Sequence, residues 1–103
     1  MYRGTTPTII FKLNTDLDLT TLTQIWVTMQ DMNDSQYTWD IDDVTIDNTG
    51  KTISLPLSQE ETLVLSNGMA TVQIRLLTSE NKALATNVAM IDINNILKDG
   101  VIE

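Results

Sequence analysis

Four carboxylates crowd one short stretch of this 103-residue chain: Asp40, Asp42, Asp43 and Asp47. Paired carboxylates can bind calcium or carry out acid–base work. Asp40 and Asp42, however, alternate with Trp39 and Ile41, which places them on the outward face of a strand over Gln36–Asp42. Their spacing does not match a helix–loop–helix calcium loop. A solvated strand face that protects a sheet edge accounts for them as well. Asp40, Asp42 and Asp43 therefore remain only weak calcium candidates, and neither a metal nor any other cofactor is expected.

Nucleophilic catalysis finds even less material. The chain has no histidine to act as a general base and no cysteine to act as a thiol nucleophile. Its four lysines, Lys12, Lys51, Lys82 and Lys98, fall at strand-polar, turn or tail positions outside any catalytic motif. The four glycines are isolated, so no phosphate-cradling loop exists. No catalytic residue is assigned, and the chain reads as a non-enzyme. A formal charge of −8 and a pI near 4.1 repel phosphate backbones and anionic bilayers, which excludes nucleic acid and membrane surfaces as partners.

Trp26 is the residue that stands out. Ile25, Val27 and Met29 define a core face, so Trp26 points the other way with Gln24 and Thr28. An outward tryptophan can anchor a protein partner or stack on a sugar ring, although a loop or the C-terminal tail lying over it is the simpler expectation. Ile10 likewise points away from Ile9 and Phe11. Trp26, Ile10 and Thr28 are thus the interface candidates, with Trp26 and Ile10 expected to share one apolar spot.

The elements that carry these residues are strands. Alternation marks Thr8–Leu13, Thr23–Gln30, Gln36–Asp42, Val44–Ile46, Thr52–Leu57, Met69–Thr78 and Ala83–Asp92. The Asp47–Lys51 segment, with its Asn and Gly, signals a hairpin. Ser58-Gln59-Glu60-Glu61 has the form of a capping box, which predicts one helical turn near 58–65 stopped at Gly68. The Ile93–Glu103 tail has no clear period. Residues 1–103 therefore read as a single all-β domain, an immunoglobulin-like antiparallel β-sandwich of about seven strands without the antibody-type cysteine pair. The opening residues lack the pattern of a signal peptide, so synthesis inside the cell is expected.

Several segments carry a family resemblance: Tyr2-Arg3-Gly4-Thr5-Thr6-Pro7-Thr8-Ile9-Ile10-Phe11, Ile25-Trp26-Val27-Thr28, Leu57-Ser58-Gln59-Glu60-Glu61-Thr62-Leu63 and Leu97-Lys98-Asp99-Gly100-Val101-Ile102. The chain resembles small phage and prophage tail or baseplate proteins of Gram-positive bacteria. It is similar to the N-terminal immunoglobulin-like domain of phage baseplate upper proteins. The resemblance implies a structural or assembly protein, made in the bacterial cytoplasm and incorporated in a virion. Its partners would be other tail or baseplate proteins, or further copies of itself. Baseplate upper proteins continue with long additional segments whereas this chain stops, which favours an accessory tail subunit over direct attachment. A carbohydrate- or host-surface-binding sandwich is the alternative.

Overall fold

Period-two alternation builds two antiparallel sheets that close on one apolar interior. The computed structural model describes all 103 residues. Its strands are β1 (Thr8–Lys12), β2 (Leu22–Gln30), β3 (Gln36–Trp39), β4 (Thr45–Asp47), β5 (Thr52–Pro56), β6 (Gly68–Thr78), β7 (Ala83–Ala85) and β8 (Ala89–Ile93). One short helix, α1 (Gln59–Leu63), carries the chain from the first sheet to the second. The smaller sheet has the order β1-β5-β4; the larger runs β3-β2-β6, with β7 and β8 sharing the far side of β6. Lettered as an immunoglobulin sandwich, these are B-E-D facing C′-C-F-G, with strand G broken in two.

β6 is the axis of the larger sheet. Its Ala70, Val72, Ile74, Leu76 and Thr78 are all buried, as is the Ile25, Val27 and Met29 row of β2 beside it. Ile53 and Leu55 of β5 cover them from the smaller sheet, and together they belong to a core of 16 buried apolar residues. Full burial of one such aliphatic side chain stabilises by about 1.5–3 kcal/mol.

Turn chemistry is local and specific. Ser58 and Glu61 form the expected capping box: the Ser58 hydroxyl accepts from the Glu61 N–H at 3.2 Å, and the Glu61 carboxylate accepts from the Ser58 N–H at 2.8 Å. The predicted β4–β5 hairpin forms, but the left-handed residue is Lys51 at φ 53° rather than Gly50. Lys51 Nζ donates to Leu17 O at 2.7 Å and Asn48 Oδ1 at 2.9 Å, which offsets that backbone cost. Gly68, at φ 118°, is required where it stands: a Cβ there would lie 2.5 Å from Met32 Cγ.

Three expectations are corrected. The third strand ends at Trp39, because Asp40–Asp43 closes into a 3-10 turn capped by its own carboxylates. The last strand splits because Thr86 turns into the ladder: its Oγ1 accepts from Ile74 N and its N–H donates to Ile74 O. Finally, Ile10 lies on the outer face of the smaller sheet and Trp26 on the outer face of the larger one. They form no common spot.

Candidate interface on the outer face of the larger sheet

Strand register sets which side chains share this face. Reading across the strands, one row is Gln36–Gln30–Thr71–Met90, a second is Thr38–Thr28–Gln73, and a third is Trp26–Arg75–Ala85. Many of the polar groups are tied to one another. The Thr28 and Thr38 hydroxyls are 3.0 Å apart, Gln36 Nε2 donates to Gln30 Oε1 at 3.2 Å, and Gln73 Nε2 donates to Thr86 O at 2.9 Å. The face is therefore a set of fixed amides and hydroxyls rather than a fringe of mobile chains.

Trp26 is 46% exposed, so neither a loop nor the tail covers it. The tail runs elsewhere, exchanging hydrogen bonds with Gln59 through Ile102. The Arg75 guanidinium lies 5.3 Å from the Trp26 ring centroid and occupies one face of the indole by a cation–π contact. Beside the ring, Gln24, Leu77 and Ala83 line a shallow apolar depression of about 130 Å³. Thr28 follows Trp26 on the same face, as its spacing predicts.

Charge is distributed unevenly. Of all the carboxylates, only Asp47 and Asp92 lie within strands; the others sit in turns, α1 and the tail. Asp92 pairs with Met69 at one end of the larger sheet. The middle of its outer face, from Gln36 to Gln73, carries no formal charge, and Arg75 is held against Trp26.

The acidic stretch is committed to the chain's own backbone. Asp40 Oδ1 accepts from Asp42 N at 2.9 Å, and Asp43 Oδ2 accepts from Asp40 N at 3.0 Å. No three acidic side chains converge in a manner that could hold a metal ion. Two further carboxylates gather polar partners at the α1 end of the sandwich. Glu61 accepts from the Trp39 indole N–H at 2.5 Å as well as from Ser58. Burial pushes its carboxyl up, but the Trp39 and Ser58 hydrogen bonds outweigh that and hold it below its ordinary 4.5. Asp31, 4% exposed, accepts backbone N–H groups from Asn33, Ser35 and Ser66. Both groups brace turns and lie away from the Trp26 face.

Sequence reasoning missed Arg75, because pairing it with Trp26 needs the β2–β6 register, which joins segments nearly fifty residues apart. No helix is long and apolar enough to cross a membrane. Compared with protein-family models, curated proteins and solved structures, the chain matches none.

Proposed function

We propose that this protein is a non-enzymatic assembly subunit that docks on another protein through the outer face of its larger sheet, with Trp26 as the anchor. One observation carries the reading: in a chain of charge −8, the middle of this face bears no carboxylate, and the one charge beside its half-exposed tryptophan, Arg75, is held against the indole. Burying charge costs desolvation free energy, and the cores of protein interfaces are accordingly depleted in charge and enriched in aromatic residues. The resemblance to phage tail and baseplate proteins supplies the partner class, which is another tail or baseplate protein or a second copy, within a virion. Sugar stacking is the weaker reading, because Arg75 already holds one face of the indole.

Light scattering tests the proposal with the intact chain, alone and mixed with the products of neighbouring genes. The expected mass exceeds that of the 11.5 kDa monomer and returns to it in Trp26→Ala, which still unfolds in one cooperative transition. A strict monomer that binds none of those products overturns the reading. Glycan-array binding that Trp26→Ala abolishes would replace it with the carbohydrate alternative.

A further inference from the structure

Docking cannot bury Trp26 without burying Arg75. The two are cross-strand neighbours on β2 and β6, and the guanidinium lies 5.3 Å from the indole centroid. A cation–π contact holds the charge in place but leaves the N–H donors around the edge of the guanidinium plane unspent. Other cations are used within the chain: Arg3, Lys12 and Lys51 donate to the carbonyl oxygens of Leu63, Gly50 and Leu17. The one ion pair joins Arg3 to Asp99, so Arg75 has no carboxylate of its own. A partner that covers the indole therefore has to satisfy a guanidinium, because a charge buried without a counterpart is costly. The planar fork of that group matches a carboxylate, which accepts two parallel N–H bonds from it.

The second requirement is apolar. Beside the ring and the guanidinium, Leu76, Leu77 and Ala83 line the depression of about 130 Å³ together with Gln24. Small-molecule sites run to about 300–1,000 Å³, so this one has room for a side chain and not for a whole metabolite. Gln24 forms a rigid wall, since its Oε1 already accepts from Ile25 N at 3.0 Å and Ile41 N at 3.2 Å.

We infer that the partner of this face is a different protein, which presents a carboxylate to Arg75 and, next to it, an aliphatic side chain to the depression. The inference rests on the reading of the Trp26 face as a docking surface and adds what that surface selects. A second copy fits the site poorly. A two-fold contact centred on Trp26 would set one guanidinium against another. Many of the chain's own carboxylates are also committed: Asp18, Asp31, Asp40, Asp43, Asp47 and Glu61 all accept from main-chain N–H groups.

Short blocked peptides test this on the intact chain. The probe is acetyl-Leu-Thr-Asp-amide, whose first and third side chains share one side of an extended strand. Its two controls replace Asp with Asn, or Leu with Gly. In an NMR titration the probe is expected to shift the Trp26 indole N–H and the Arg75 Nε–H signals together. Both controls, and the probe on Arg75→Gln, are expected to bind about tenfold more weakly or worse, as befits the loss of one charge-assisted bond or one buried side chain. Ala83→Leu, which fills the depression, should erase the preference for Leu over Gly and keep that for Asp over Asn. Arg75 and Ala83 are exposed, so both variants retain the fold. No shift at Trp26 and Arg75 overturns the inference, and so does an Asn control that binds as well as the probe. Failure of the docking reading itself looks different: the peptides behave as expected, which supports the selectivity, while light scattering finds a monomer with every neighbouring product. A complex that Trp26→Ala dissolves and Arg75→Gln leaves intact upholds the docking face and overturns the carboxylate.

Discussion

The two ends of the sandwich are built on opposite terms. At the α1 end, several polar side chains find partners across a long stretch of sequence. Arg3 donates to Leu63 O at 2.6 Å and Leu65 O at 2.7 Å, capping the helix, and pairs with Asp99 at 3.1 Å. Asp31 links the β2–β3 turn to the loop before β6, and Tyr37 donates to Val64 O at 3.1 Å. At the β7 end a three-residue strand lies fully exposed beside an open cleft. The contrast teaches that this sandwich is closed by side chains bonding to loop backbone, more than by strand pairing. Where such side chains are missing, the interior stays reachable.

The comparison breaks most sharply at Asp31. Asp31→Ala leaves three part-buried backbone donors without their acceptor and is expected to cost about 2–3 kcal/mol in urea unfolding. A loss below about 1 kcal/mol would mean that water enters this end too. Arg3→Met removes the helix cap while keeping the aliphatic stem, with an expected loss of about 1–2 kcal/mol. High salt should change that value little, because the exposed Asp99 pair contributes only a small part.

Glu61 sharpens the same contrast through pH. Its folded-state carboxyl titrates below its ordinary 4.5, so its stabilisation is complete above that value and fades as pH falls through the folded value. Glu61→Gln should therefore flatten the acid side of the stability profile while leaving the neutral side parallel to that of the unaltered chain. Equal acid slopes in the two proteins would show that the Trp39 contact does not favour the ionised form. The smallest effect belongs to the other end. Leu84→Ser should change the monomer's stability by no more than about 0.5 kcal/mol, although its side chain faces inward.

Much of this fold was legible from spacing alone. Alternation assigned the inner rows of β2, β5 and β6 correctly, since a residue two positions along a strand shares its face whatever the tertiary context. The capping box at Ser58 was equally local. What escaped was set by partners distant in sequence. Asp40–Asp43 alternates well enough to extend β3, but its carboxylates form a better local alternative by capping a turn. Trp26 was read as outward from its neighbours, while its company needed topology. Ile10 proved to belong to the other sheet, and Arg75 became its companion instead. The β7–β8 break rests on a single threonine hydroxyl entering a ladder, which no periodicity signals.

The bridge between Tyr2 and Asn94 also has a consequence in time. The first residues of the chain are made long before the segment they pair with, and β6 waits similarly for its G-strand neighbours. Contacts of such sequence separation form late and slowly. As the chain emerges from a ribosome, the β4–β5 and β2–β3 hairpins can form early, while Arg3 has neither its helix end nor its tail to hold. Closure of the α1 end therefore has to wait for the β8 and tail residues, and until they arrive the half-made sandwich exposes the edge of β6.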